Sequence, residues 1–106
     1  MRAKSVADLV ELLIEALRRP QERQELIRAF QREVLEGPGV VATPAASEAL
    51  TRLATDLDFY VADPERRSDH RSYYGENQLR QEILAALGEL VETGELPSSV
   101  MRRATI

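Results

Sequence analysis

Apolar side chains recur along this chain in four stripes, each closed by a stop signal. Val6, Leu9, Val10, Leu13, Ile14 and Leu17 repeat at three- and four-residue steps, which puts them on one side of a helix. Ser5, with Asp8 three residues on, has the form of a capping box in which Asp replaces the usual Glu or Gln. Pro20 ends that helix or opens the next. A second stripe, Leu26, Ile27, Phe30 and Val34, runs up to Gly37-Pro38-Gly39. Thr43-Pro44 sets a capping hydroxyl before a proline at the first helical position, and Ala46, Leu50, Leu53, Ala54 and Leu57 follow. The fourth stripe passes through Leu79, Ile83, Ala86, Leu87, Leu90 and Val91 and stops at Gly94. These patterns predict helices over 5–18, 21–36, 44–60 and 77–93, with Leu53, Leu57, Ile83 and Leu87 in the core.

Outside the stripes the periodicity fails. Between Val61 and Asn77, Asp63-Pro64, a run of charges, Ser72 and Gly75 mark a loop. From Glu95 onward, Pro97 and paired serines predict a frayed segment. No stretch alternates like a strand, and Val40-Val41 is too short to count as one. The expected architecture is all-α: a small antiparallel four-helix bundle with an ordered loop between the third and fourth helices. It forms a single domain over 1–95, with a flexible C-terminal tail over 96–106.

Composition narrows the classes of function. A chain of 106 residues, 43% hydrophobic, has one domain's length and enough apolar material for a modest core. The absence of cysteine excludes a disulfide framework, a thiolate zinc site and a catalytic thiol, and fits a reducing cytoplasm. Runs such as Leu12-Leu13-Ile14 fall far short of the roughly 20 residues that span a bilayer. Asp8, Glu11 and Glu15 interrupt what a signal peptide would keep apolar. A cytoplasmic, soluble protein with no membrane partner is expected.

The net charge of −4 hides an asymmetry. All 18 acids lie between Asp8 and Glu95, against 10 bases, so this body carries 8 excess negative charges. Such a body repels phosphate backbones and attracts cationic surfaces, which argues against direct nucleic-acid binding. The most basic cluster, Arg66-Arg67-Asp69-His70-Arg71, is flanked by Asp63 and Glu65.

The chemistry-bearing motifs are sparse. His70, the single histidine, sits between Asp69 and Arg71 in a polar loop without a nucleophile elbow or a glycine-rich phosphate cradle. Asp56, Asp58 and Asp63 lack the central glycine and twelfth-position Glu of a calcium loop. Asp56 and Asp58, two apart on a helix, point to different faces. Neither a metal nor a cofactor is expected, and the chain is not expected to be an enzyme.

The segment from Ala54 to Arg66 does stand out, because it gathers Asp56, Asp58, Asp63 and Glu65 at a helix end, with Tyr60, Tyr73 and Tyr74 close by. Tyrosine and arginine anchor interface centres, and carboxylates select and steer a basic partner. Here the chain resembles the immunity proteins that protect bacteria from colicin D-type ribonuclease toxins. The resemblance covers roughly residues 48–92 and is carried by Asp56 and Asp58 with Phe59, then Asp63, Arg66, Tyr74, and Gly75-Glu76-Asn77-Gln78-Leu79 followed by Ile83 and Leu87.

That resemblance implies a small four-helix bundle that blocks a basic, tRNA-cleaving nuclease domain without catalysis of its own and is a monomer when free. The partner-binding residues it points to are Asp56, Asp58, Asp63, Glu65, Arg66 and Tyr73. By position in the resemblance, Tyr74 closes the bundle and Tyr73 faces the partner; adjacent side chains of an extended segment point to opposite sides. Two other readings stand beside it: a helical adaptor or dimerisation domain of a bacterial regulatory complex, and a small enzyme using His70 with Asp63 or Asp69.

Overall fold

The computed structural model describes residues 4–37 and 40–105. Helix α1 spans Val6–Arg18, α2 Arg23–Leu35, α3 Pro44–Asp56, α4 Pro64–Arg67, α5 Glu76–Glu92 and α6 Ser99–Thr105. A 3-10 turn over Leu57–Phe59 extends α3. A two-residue strand, β1 (Lys4–Ser5), pairs in parallel with β2 (Val40–Val41), Ser5 opposite Val41. The fold is therefore all-α, with this two-residue ladder and a single bridge between Tyr60 and Tyr74 among the described residues. Val40-Val41, read as too short for a strand, pairs because the chain entering α1 runs alongside the chain leaving α2. Of the Gly37-Pro38-Gly39 stop, Pro38 and Gly39 lie outside the described residues.

The helix ends follow their local chemistry. Ser5 Oγ accepts from the Asp8 amide and Asp8 Oδ2 accepts from the Ser5 amide, both at 3.2 Å, which completes the capping box at α1. Thr43 Oγ1 accepts from the Ala46 amide at 3.2 Å at the start of α3, ahead of Pro44. At the end of α5, Gly94 takes φ 84°. The Gly94 amide then reaches Val91 O at 3.1 Å and the Glu95 amide reaches Leu90 O at 3.0 Å, a closing pair that needs the left-handed residue.

The core is continuous. Leu9, Leu13 and Ile14 of α1, Ile27 and Phe30 of α2, Leu50 of α3, and Leu79, Ile83, Leu87 and Leu90 of α5 are all fully buried. Helix α1 packs on α2, α5 and α6; α2 packs on α3, and α3 on α5. The four residues expected in the core are buried, with Leu57 at 2% exposure.

Three sequence expectations need correction. The third helix, expected over 44–60, is α-helical only to Asp56 before it tightens into the 3-10 turn. The loop contains α4, started by Asp63 at the cap and Pro64 at the first position, the same signal that opens α3. The segment 96–106, expected as a flexible tail, instead carries α6. Leu96, Val100 and Ala104 are buried there at four-residue steps, and Arg103 forms a two-pronged ion pair with Glu11 of α1 at 2.6 and 2.8 Å. Among the described residues no helix is long and apolar enough to cross a membrane.

Candidate functional site

The loop between the 3-10 turn and α5 is closed at its base. The Tyr74 amide donates to Phe59 O and the Val61 amide donates to Tyr74 O, each at 2.9 Å. The rings of Tyr60 and Tyr74 lie 6.3 Å apart, tilted by 46°, and both are buried. The Tyr74 hydroxyl donates to Asp56 Oδ2 at 2.8 Å and to the Asp56 carbonyl at 3.1 Å. Burial, and then the hydrogen bond to the Asp56 carboxylate, push the Tyr74 phenol above its ordinary pKa. Inside the loop, the Arg67 guanidinium donates to Ala62 O at 3.3 Å and fills the space where a Cβ on Gly75 would sit. In burial the two tyrosines divide as expected: Tyr74 is 5% exposed and Tyr73 is 36% exposed.

A groove of about 400 Å³ separates this loop from α2. Asp58, Asp63, Arg66 and Tyr73 line it from the loop side, and Gln24 and Arg28 line it from α2. Both aspartates are held by amide donors. Gln31 Nε2 gives 2.8 Å to Asp58 Oδ1 and 3.0 Å to the Ala54 carbonyl, which ties α2 to the end of α3. Asp63 Oδ1 accepts from the Glu65 amide at 3.0 Å as the cap of α4. Neither Arg28 nor Arg66 has an ion-pair partner among the described residues.

A second groove runs between α3 and α5, as two adjoining hollows of about 190 and 230 Å³ that share Ala49, Arg52 and Glu89. Its buried lining is Ala49, Leu53 and Ala86, with the exposed Ala45 and Ala85 beside them. Its rim carries five carboxylates, Glu48, Asp56, Glu82, Glu89 and Glu92, against the single guanidinium of Arg52. Arg52 sits 3.2 Å from Glu89 and 4.0 Å from Glu48, in surface pairs that leave the excess negative.

The six residues singled out from the sequence therefore divide. Asp58, Asp63, Arg66 and Tyr73 share the α2–loop groove, Asp56 faces the α3–α5 groove, and Glu65 is exposed and lines neither. Sequence reasoning missed Arg28, Glu48, Glu82, Glu89 and Glu92. The signal was present in the helical spacing. Glu48, Arg52 and Asp56 stand four apart on α3, and Glu82 and Glu89 stand seven apart on α5.

His70 is engaged within its own loop. Its Nδ1 accepts from the Ser72 amide at 3.1 Å, and its ring lies 5.3 Å from that of Tyr73. No hydrogen bond links it to Asp63 or Asp69 among the described residues. No group of three or more His, Asp or Glu side chains there is placed to hold a metal ion. Comparison with family models, with curated proteins and with solved structures found no match to this chain.

Proposed function

We propose that this chain is an immunity protein: an antiparallel four-helix bundle, with α6 added, that binds a basic, tRNA-cleaving nuclease domain and blocks its cleft. The observation that carries this reading is the α3–α5 groove, with five carboxylates against one arginine over buried Ala49, Leu53 and Ala86. A nuclease that holds tRNA must present a positive cleft. An acidic ridge of this kind competes for that cleft without any chemistry of its own, and long-range attraction speeds its approach. Asp58 and Asp63, round the end of α3, extend the negative surface toward the loop, and exposed Phe59 and Tyr73 supply aromatic area beside them.

The reading predicts a neighbouring gene for a toxin with a basic nuclease domain, and the direct test mixes the purified chain with that domain and follows tRNA cleavage. The reading predicts that cleavage stops at a one-to-one ratio and that association slows as salt is raised. Undiminished cleavage at a tenfold excess of the chain rules it out. A concentration-dependent dimer of the chain that ignores the nuclease points instead to the adaptor or dimerisation reading.

A further inference from the structure

The groove between α3 and α5 is not uniformly acidic. Arg52 of α3 reaches across to Glu89 of α5, its Nη1 donating to both carboxylate oxygens at 3.2 and 3.3 Å, and this pair lines both hollows. The two charges cancel at the middle of the groove. On either side of this crossbar a hollow keeps two carboxylates of its own, one from each helix. They are Asp56 and Glu82 toward the loop, and Glu48 and Glu92 at the other end. Glu82 and Glu92 have no ion-pair partner among the described residues, and Glu48 has only a 4.0 Å contact with Arg52. Asp56 accepts from the neutral Tyr74 hydroxyl and keeps its charge. Along the groove the charge therefore runs negative, neutral, negative. Helix geometry gives the spacing. Glu48 and Asp56 stand eight residues apart on α3, and Glu82 and Glu92 ten apart on α5, which sets the two ends roughly 12–15 Å apart.

We infer that the groove takes two basic side chains from one segment of the partner, one in each hollow, and that Arg52 denies the place between them to a third. Buried Ala49, Leu53 and Ala86 beneath the carboxylates offer apolar surface to the methylene stem of an arginine or lysine. A bare cation gains nothing from that surface, and no group of three or more His, Asp or Glu side chains is placed to hold a metal ion among the described residues. The inference rests on the reading above that a basic protein meets this face. It adds a rule of spacing to that reading. A segment with closely spaced positive charges sets one of them against the Arg52 guanidinium, so Arg52 is a specificity-determining residue.

The test titrates the folded chain with blocked, alanine-rich helical peptides and follows the Ala49 and Glu89 amide signals by nuclear magnetic resonance. Each peptide carries two arginines on one face, either eleven or four residues apart, which is about 16 or 6 Å along the helix. The wider pair is expected to bind about fivefold more tightly. A third arginine placed between the wider two should add less than about twofold on the native chain, and about fivefold on Arg52→Gln, where Glu89 is freed. Arg102→Gln makes the same change in net charge on exposed α6, outside both hollows, and should behave as the native chain does. Glu82→Gln and Glu92→Gln should each erase the advantage of the wider spacing. No saturable binding, equal binding of the two spacings, or an equal gain from the third arginine in the native chain and Arg52→Gln overturns the inference. The nuclease assay separates its failure from that of the function. A chain that stops the nuclease yet shows no preference for spacing refutes the two-hollow contact alone. A chain that keeps the preference but ignores the nuclease refutes the immunity reading and leaves the groove assigned.

Discussion

Tyr74 shows how one side chain joins the fold to the candidate site. Its ring is buried against Tyr60 while its hydroxyl holds the carboxylate and carbonyl of Asp56, the last residue of α3. Tyr74→Phe removes a hydrogen bond to a charged acceptor and should cost about 1.5–3 kcal/mol. Because the phenol is raised above its ordinary value in the folded chain, the unfolded chain releases this proton first as pH climbs. The stability Tyr74 contributes is thus complete below roughly pH 10 and lost progressively above it. Urea melts at pH 8 and pH 10.5 should show a larger loss for the native chain than for Tyr74→Phe; equal losses would mean the phenol is neither buried nor held by Asp56. Leu57, 2% exposed where the 3-10 turn begins, is the matching apolar position. Leu57→Ala should cost about 2–5 kcal/mol in the same melts, and a near-zero loss would place the turn outside the core. Both residues were legible beforehand, Leu57 from the stripe and Tyr74 from its position in the resemblance, next to Gly75. Arg23 was not. A charge buried to 5% exposure contradicts the usual pattern, and only the structure shows its guanidinium donating to the Ala16 and Leu17 carbonyls at the end of α1 while pairing with Glu76 of α5.

At the scale of elements, the long stripes were readable because each buries a broad apolar face. The two short helices were not, for different reasons. Helix α4 has a sound start signal but no buried residue, so nothing periodic followed Asp63-Pro64 to mark it. Helix α6 buries Val100 and Ala104, with Leu96 just ahead of it, a four-residue spacing too brief and too small in volume to outweigh Pro97 and the serines. Its place against α1 is a tertiary effect, fixed by the fit of those side chains and by the Glu11–Arg103 pair. Helix α5 carries its own weakness in Gly88. A Cβ built there meets nothing within 4 Å, so the residue is replaceable. Gly88→Ala should therefore stabilise the chain by about 0.5–1 kcal/mol through a less flexible unfolded state. A thermal melt showing destabilisation would mean that the glycine serves packing the structure does not contain.

Across the whole molecule, charge is sorted by face. The α3–α5 side gathers carboxylates, and the α2–loop side sets two unpaired arginines among aspartates held by amides. The sequence showed the acidic stretch from Asp56 to Glu65 as one feature. Folding splits it as the two-residue spacing of Asp56 and Asp58 on a helix predicts, with Asp56 at one groove and Asp58 at the other. Residues far apart in sequence, such as Glu48 and Glu89, meet only once α3 and α5 pack together. No pattern local to one segment could show that.

The central claim is occlusion: the acidic face takes the place of tRNA on the nuclease. It is tested most directly by competition, with fluorescently labelled tRNA bound to a catalytically inactivated form of the nuclease domain that the proposal predicts as partner and the chain titrated in. The account predicts complete displacement of tRNA at about one chain per nuclease. Reversing Glu82, Glu89 and Glu92 together to lysine, with the melting temperature retained, should weaken displacement by at least roughly a hundredfold, the scale expected when several charged contacts change sign. Binding of the chain while the tRNA stays on the nuclease would contradict it.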